Sequence, residues 1–568
     1  MIGHIMVMNR SEYYALFGIV LVGLLALMPG LSGTALLGQG DEVMHIATVR
    51  DSLDSQSYMV PIVNGATNYH KPPLLFWLGM ASEMAFGRSM WADRMPAVIM
   101  ALLSALAVFG TLRVLRVELR TAFALSLAYI FTIAVLKFGR LLMMEQALVA
   151  SMSGVAFFFA RYIRYRQLRD VLFAGLIAAV SYLYLGPLIQ GYAGLLLAVW
   201  AGSLVWRFQL DPFRWRGRKS LAEVIRVGFV FHLPKVVPLA WLGCISSQGP
   251  GGSLLLQYFF QFENVGKFLE ANQPEGRIFG GWLMYSAPWS LLFIVMVVLA
   301  IRARVRSRAR WTAAILLWTG VCFTLLHLLP NRKDGYYILP ALPLVWAGAA
   351  ALVDFRALSL QRAVFANLVA ALLVGVIFLL PAFLLGAGPG YYLLAVPAVL
   401  VAAVALFFWR RLSARERYGA LFAAGIGTVA TFQFALMPLL DRPYAPAAIR
   451  SQLTTDLCVV SKESWDGFIY KNTLPAHDIK HTAPSVAEAC GEGRRGLIAY
   501  RVEGYEAPSG YERSLSWPVW REGLSADEIL AGLRDPALLQ TEIIYYRPAG
   551  EVAQSGGGED GEAEQASL

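Results

Sequence analysis

Charge is scarce in this chain. Asp, Glu, Lys and Arg make up 15% of its 568 residues while 57% are hydrophobic, a balance that excludes an ordinary soluble globular protein and puts most of the chain in lipid. Acidic residues are the scarcer sign, leaving a net charge of +10. The arginines nevertheless recur in short clusters between apolar runs, the pattern of cytoplasmic membrane loops, so nucleic acid is not expected as a partner. Cysteine is also scarce, four residues in all. Cys244 and Cys322 fall within apolar runs and read as small core residues. Cys458 and Cys490 both lie beyond residue 441, where an oxidising compartment would allow them to pair; their spacing does not decide whether they do. No repeat of fixed period is visible.

What the chain has in quantity is long apolar segments. A helix needs about 20 mostly apolar residues to cross the hydrocarbon layer, and thirteen stretches qualify, beginning near Tyr13, Trp91, Thr121, Leu141, Val171, Pro187, Ala222, Phe279, Trp311, Tyr337, Ala363, Tyr391 and Tyr418. The first is long, ends in Met28-Pro29-Gly30 and lacks a compelling cleavage pattern, so it reads as a retained helix. The run from Val171 to Leu204 is interrupted at Gly186-Pro187, either a turn between two helices or a kink in one. If the N-terminus is cytoplasmic, alternate loops carry Arg113/Arg116/Arg120, Arg161 to Arg169, Arg214 to Lys219, Arg302 to Arg310, Arg356/Arg362 and Arg410 to Arg417; all six obey the positive-inside bias. The odd number of spans then exports everything after residue 440.

Three domains are expected. Residues 1–440 form the membrane region, with a first exported loop over 33–90. Residues 441–549, where short β-type runs such as Leu457 to Val460, Gly496 to Tyr500 and Ile543 to Tyr546 alternate with helical stretches, read as a small soluble α/β domain. Ser525 is placed to cap the helix that follows it. Residues 550–568, rich in Gly, Glu, Ser and Ala, read as a disordered acidic tail.

The exported loop carries the chemistry. Asp41 and Glu42 follow the first span closely, where an unpaired carboxylate drawn toward lipid would cost a few kcal/mol. One reading makes Asp41 a general base or metal ligand for an incoming acceptor; the other makes the pair the N-terminal charge of an amphipathic helix from Val43 to Leu53. Lys71, in Lys71-Pro72-Pro73-Leu74-Leu75-Phe76-Trp77, could grip a lipid phosphate or simply snorkel to the interface. Lys267, Arg332 and Lys333 also sit on the exported side, against the prevailing bias, and a shared anionic ligand would explain them. Arg140 and Glu145 flank the start of the fourth span. A carboxylate one turn into an apolar helix is a functional candidate, with pairing of Glu145 to Arg140 or Lys137 as the structural alternative. Lys235, in mid-span, needs a buried partner or a water-filled cleft.

Taken together, Asp41-Glu42, Asn64-Gly65, Tyr69-x-Lys71-Pro72-Pro73-Leu74-Leu75-Phe76-Trp77 and Trp91-x-x-Arg94-x-Pro96 resemble the first-loop signature of the bacterial aminoarabinose and related polyprenyl-phosphate sugar transferases, kin to the protein O-mannosyltransferases. The resemblance continues through Arg140 with Glu145, the Glu263 to Phe268 segment, Pro288-Trp289-Ser290 and Lys333-x-x-x-Tyr337-x-Leu339-Pro340, covering residues 13 to about 440. It implies a multi-helix membrane glycosyltransferase of the GT-C type with exported catalytic loops and a C-terminal soluble domain, inverting configuration at the sugar. By this resemblance it resides in the bacterial inner membrane with its C-terminal domain periplasmic. The implied partners are a polyprenyl-phosphate sugar donor, a lipid, glycan or protein acceptor, and the surrounding membrane lipids.

Carried over by motif, Asp41 is the family's first acidic residue, Lys71 its phosphate-gripping lysine, and Lys333 with Tyr337 its Lys/Tyr pair. The catalytic candidates are thus Asp41, Glu42 and Glu145, and the donor-phosphate candidates Lys71, Lys267, Arg332, Lys333, Tyr337 and Arg140. Three positions depart from the family. His70 stands before Lys71 where an acid is usual, Asn264 where the family has histidine, and Glu145 where it has aspartate. A divalent metal held by His70 and Asn264 would have a weak ligand set for zinc. A polysaccharide ligase or polymerase using a lipid-linked donor is the nearest alternative. A transporter is the more distant one, since it would place its ionisable residues near the midplane rather than at one face.

Overall fold

The computed structural model describes residues 9–33, 40–68, 71–208, 215–261, 266–268, 271–384, 386–440, 445–461, 466–474, 477–483, 495–499, 509–521, 525–532 and 534–549. They fall into two compact units, Met1–Asp441 and Arg442–Leu568.

The first unit is helical. Its elements begin with α1 (Arg10–Leu27), α2 (Gly40–Asp54), a two-stranded hairpin β1 (Ile62–Val63) and β2 (Ala66–Thr67), α3 (Leu74–Phe86), α4 (Met90–Val114), α5 (Leu119–Ile130), α6 (Ile133–Phe138) and α7 (Met144–Tyr165). There follow α8 (Leu168–Leu185), α9 (Pro187–Phe208), α10 (Trp215–His232), α11 (Val236–Ser246), α12 (Gly249–Tyr258), α13 (Gly276–Tyr285), α14 (Ser290–Ile301), α15 (Arg308–Leu326), α16 (Leu342–Leu352), α17 (Leu358–Leu384), α18 (Pro389–Phe407) and α19 (Ala414–Thr431). Local capping rules set several of these boundaries. Asn9 and Glu12 form a reciprocal capping box on α1, and the Ser89 hydroxyl accepts from the Ala92 amide at the start of α4, each satisfying an N–H that the helix itself leaves unpaired.

Among the described residues eleven helices are long and apolar enough to cross a membrane, or twelve if the pair α13 and α14, bent by 111°, counts as one span. The chain is a multi-pass membrane protein, with one or two fewer spans than the thirteen expected. One difference lies at Phe279 when α13 and α14 are not counted as one span, and the other lies at Thr121. That stretch is α5, only 12 residues long, about 18 Å against a hydrocarbon layer of about 30 Å. It stops at Phe131, and the Thr132 hydroxyl caps the next short helix through the Val135 amide. Apolar content alone does not reveal such a break. At Gly186, with φ of +70°, the chain turns between α8 and α9, so the Val171 to Leu204 run is two helices. Lys235 lies in the 3-10 turn Leu233–Lys235 that joins α10 to α11.

The second unit carries a five-stranded sheet of β3 (Asp456–Val460), β4 (Asp478–Ala483), β5 (Gly496–Ala499), β6 (Tyr511–Trp520) and β7 (Gln540–Pro548) in the order β4-β3-β5-β7-β6. β4, β3 and β5 are parallel, whereas β7 and β6 run antiparallel. The three β-type runs read from the sequence fall in β3, β5 and β7, apart from Tyr500, which lies outside the described residues. Ser525 caps the helix Ala526–Gly532, its hydroxyl accepting from the Glu528 amide while Glu528 accepts from the Ser525 amide. Cys458 is disulfide-bonded; its expected partner Cys490 and the expected acidic tail lie outside the described residues.

One element departs from the sequence reading in character. The stretch after Asp41 was expected to be an amphipathic helix. In α2 every residue from Glu42 to Arg50 is instead buried, polar and apolar alike. A polar helix can be enclosed only if its side chains find partners inside the protein, and those partners build the candidate site.

Candidate active site

Glu42 and Arg94 are both completely buried. The guanidinium of Arg94 grips the carboxylate in a two-pronged contact, Nε to Oε1 and Nη2 to Oε2, each 2.8 Å. The Leu142 amide donates to Glu42 Oε1 at 2.9 Å. The remaining Arg94 nitrogen donates to the carbonyls of Leu31 and Gly33 at 2.7 and 2.8 Å. One ion pair therefore ties the start of α2 to α4, to the chain following α1 and to the turn before α7. Glu42, read from the sequence as a catalytic candidate, has its oxygens engaged in this tie, and Asp41 beside it is exposed.

A second buried pairing secures the far half of α2. Arg50 donates to Glu83 on α3 at 3.0 Å and to Asp93 on α4 at 2.9 Å. Between these two anchors the Thr48 hydroxyl accepts from Asn68 Nδ2 at 2.9 Å, and Trp77 Nε1 donates to the Tyr58 carbonyl at 2.6 Å. The hairpin turns on Asn64 and Gly65, both in the left-handed region at φ of +50° and +72°; asparagine and glycine tolerate that backbone best. The Asn-Gly and Lys-Pro-Pro-Leu-Leu-Phe-Trp motifs thus fold the loop that presents Lys71, which is half-buried.

His45 was not singled out in the sequence, although it stands one helical turn after Asp41. Its ring is fully buried, meets Phe76 edge-on at 5.8 Å, and places Nδ1 2.9 Å from the Leu142 carbonyl. Burial pulls its pKa below the usual histidine value, with Asp41 and Glu42 pulling the other way and Lys71 assisting. Asp41 and Lys71 therefore both act on one buried ring. The unfolded chain takes up this proton near pH 6.5 and the folded chain only at lower pH. Stability is complete above about pH 6.5 and falls below it, by at most about 1.4 kcal/mol per pH unit for one proton. His45→Asn, which keeps a donor for Leu142, should remove that share of the slope when thermal unfolding is followed between pH 7.5 and 5.5; an unchanged slope would place the titrating group elsewhere.

Arg140 is buried, its Nε donating to the Leu27 carbonyl at 3.1 Å and its Nη2 to the Pro29 carbonyl. It closes the C-terminal end of α1, where carbonyls lack helical donors. Burial and the neighbouring Arg94 cation pull its pKa down to about 10, which leaves it charged at neutral pH. Its partners among the described residues are backbone carbonyls.

Across the site, Glu145 stands in the first turn of α7. Its charge reaches Lys137 and the phenols of Tyr285, Tyr336 and Tyr337, and Tyr336 also feels Asp41. Phe138 packs between Tyr285 at 5.6 Å and Tyr336 at 6.0 Å. Asp334 accepts from Arg332 Nε at 2.8 Å and from the Tyr336 hydroxyl at 3.1 Å. Lys333, only 2% exposed, donates to Asn272 Oδ1 at 2.5 Å and to the Gln273 carbonyl at 3.1 Å, with Glu275 3.8 Å away. Those contacts fasten the segment around 272–275 onto the turn before α16.

The charges of Asp41 and Lys71 thus both bear on His45, and those of Asp41 and Glu145 both bear on Tyr336. Glu42, Arg140 and Lys333 are engaged within the protein. The side chain of Lys267, in the 3-10 turn Gly266–Phe268, is outside what is described, as are His70 and Asn264. Among the described residues no three His, Cys, Asp or Glu side chains converge as metal ligands. An imidazole and a neutral amide fall short of the three protein ligands usual at a catalytic zinc, so no step below is routed through a metal.

The sequence profile of the dolichyl-phosphate-mannose-protein mannosyltransferases matches residues 70–211. An undecaprenyl phosphate-alpha-4-amino-4-deoxy-L-arabinose arabinosyl transferase 1 of Sodalis glossinidius is 26% identical over 310 residues, 54% of this chain and 53% of that protein. A transferase of the same name from Erwinia tasmaniensis is 22% identical over 417 residues, 70% of this chain and 69% of its own. The chain spans about half the length of several of the curated relatives it matches. The crystal structure of ArnT from Cupriavidus metallidurans bound to undecaprenyl phosphate aligns with a TM-score of 0.62 at 17% identity, covering 95% of this chain and 99% of that one. Its apo form aligns at 0.63. The resemblance read from the loop motifs therefore extends to the fold, which is that of ArnT.

Proposed function

We propose that this chain is an inverting membrane glycosyltransferase. It takes a sugar from a polyprenyl-phosphate donor at the exported face and passes it to a lipid, glycan or protein acceptor. The observation that carries the reading is the double tie of α2 to Leu142, through Glu42 Oε1 and His45 Nδ1 at 2.9 Å each, which sets the helix start bearing Asp41 beside the turn that leads into Glu145, with the charges of Asp41 and Lys71 both bearing on His45. One cation and two acids near a membrane surface suit a reaction in which a lipid phosphate leaves and a hydroxyl or amine arrives. The curated relatives, named as undecaprenyl-phosphate aminoarabinose transferases, and the shared ArnT fold support the same donor class. By the same resemblance the membrane is the bacterial inner membrane, with the arginine-rich loops cytoplasmic and residues after 440 periplasmic.

The reaction needs one bond made and one broken. Asp41 accepts the proton of the acceptor as its oxygen or nitrogen bonds to the anomeric carbon, from the face opposite the donor phosphate. The bond from that carbon to the phosphate oxygen breaks with its electron pair, so configuration inverts and polyprenyl phosphate departs with added negative charge. Lys71 stabilises that charge, with Lys267, Arg332 and Tyr337 as further contacts; because the charge grows on the way to the transition state, its stabilisation lowers the barrier. Glu42, Arg140 and Lys333 are assigned here as positioning residues that hold the loops bearing Asp41, Glu145 and Tyr337. Glu145 would keep the sugar or acceptor oriented from the opposite side.

Lys71→Ala should lower transfer in reconstituted proteoliposomes about a hundredfold, roughly 3 kcal/mol for one lost contact to developing charge, with thermal unfolding unchanged. Transfer within a factor of two of wild type would reject Lys71 as the phosphate contact.

A further inference from the structure

On the arginine-rich side the first unit has a cavity that shares no lining residue with the cluster around Asp41. It lies between α5, α14, α16 and α19 and encloses about 490 Å³, within the range of small-molecule and lipid sites. We propose that it binds an anionic phospholipid, whose acyl chain fills the cavity and whose phosphate meets Arg120 and Arg415.

The wall is carbon. Trp289, Phe293, Trp346, Phe355, Tyr418 and Phe422 are its aromatic lining. Their polar atoms are satisfied elsewhere: Trp289 Nε1 donates to the Ala128 carbonyl at 2.7 Å, Trp346 Nε1 to the Leu125 carbonyl at 3.2 Å, and the Tyr418 hydroxyl to the Phe355 carbonyl at 3.0 Å. Stacking of Trp289 on Phe422 at 5.9 Å and of Phe293 on Trp346 at 5.5 Å fixes the ring planes. Water in such a space would find almost no hydrogen-bond partner. In a bilayer the hydrocarbon of a lipid is the abundant alternative, and aromatic walls suit it.

The mouth has the opposite character. The charged residues lining the cavity are Glu118 and Arg120, at the start of α5, and Arg415, in the first turn of α19. Both arginines are exposed, and among the described residues neither is engaged in a hydrogen bond or ion pair. Two cations against one anion leave this rim positive, and guanidinium groups match phosphate oxygens. From the rim at Glu118 to the inner end at Ala128 is ten residues of helix, about 15 Å, half the hydrocarbon thickness of about 30 Å. The cavity thus has the depth of one leaflet, with its charge at the headgroup level and its apolar wall at the chain level. The attraction of arginines at that level for anionic lipid favours an anionic over a zwitterionic headgroup.

The test uses the full-length protein in nanodiscs of equal parts phosphatidylethanolamine and phosphatidylglycerol, with native mass spectrometry of the lipid it retains on release. The wild type should keep one phosphatidylglycerol. Arg120→Gln with Arg415→Gln should weaken that retention on the order of tenfold. Gly419 lines the cavity, and a Cβ added there meets nothing within 4 Å; Gly419→Leu is expected to take up cavity space and should abolish retention. Three results would overturn the proposal: a wild type that keeps no lipid or keeps the two lipids equally, phosphatidylglycerol retention that survives both sets of substitutions, or lipid-free pairs of the chain occupying this face.

Discussion

Asp41→Asn is expected to reduce sugar transfer by about 10²- to 10⁴-fold, the range for losing a positioned general base, while leaving donor binding and thermal stability close to wild type. The expectation rests on the contrast between two adjacent carboxylates. Glu42 is completely buried and accepts three hydrogen bonds, two from Arg94 and one from Leu142, so it is anchored rather than available. Asp41 precedes it in the first turn of α2 and is exposed, held in place by its neighbour's anchorage without sharing its partners. An asparagine occupies the same volume and cannot take a proton. A structural role would reveal itself differently, as lowered stability with turnover per folded molecule unchanged. Steady-state kinetics in proteoliposomes distinguish the cases: the base assignment requires a fall in kcat at a nearly constant KM for the donor.

Arg94→Leu is expected to be the most destabilising single change in the loop, by about 3–5 kcal/mol, because it leaves a carboxylate buried without its cation. It also strips the Leu31 and Gly33 carbonyls of their donor. Thermal unfolding in detergent should record the loss. Combining Arg94→Leu with Glu42→Gln should recover a large part of it, since the uncompensated charge is then gone. If the double variant were as unstable as the sum of the two single ones, the pair would not be acting as a unit. Any activity lost in Arg94→Leu should come with lost folded protein, and that separates a positioning residue from Asp41.

The contrast between these two carboxylates also marks how far the sequence could be read. Asp41 and Glu42 stand side by side, and nothing local tells which is tied and which is available. The answer lies 52 positions away in Arg94 and 100 positions away in the Leu142 amide. Lys333 raised the same difficulty. A cation against the positive-inside bias suggested an anionic ligand, and its near neighbours in space turn out to be the oxygens around Asn272 and Gln273. By contrast, features set by nearest-neighbour physics were legible. The apolar runs became helices and Ser525 a cap, and of the two readings left open at Gly186-Pro187 the structure has the turn between two helices. The span expected at Thr121 failed because α5 ends at Ile130 and Thr132 starts a new short helix, a break that hydropathy does not register. α2 looked amphipathic because it mixes polar and apolar residues, whereas Glu42 and Arg50 are buried in ion pairs with α3 and α4 and His45 and Thr48 in hydrogen bonds to Leu142 and Asn68. His45 carried a signal that could have been used, its one-turn spacing from Asp41.

The most direct test of the proposed transfer is mass spectrometry of the lipid and glycan fractions from cells lacking this chain, complemented with wild type or with Asp41→Asn. The account predicts one sugar mass missing from an acceptor in the deleted cells, restored by the wild type and not by Asp41→Asn. Fractions identical with and without the chain, or full restoration by Asp41→Asn, would contradict it.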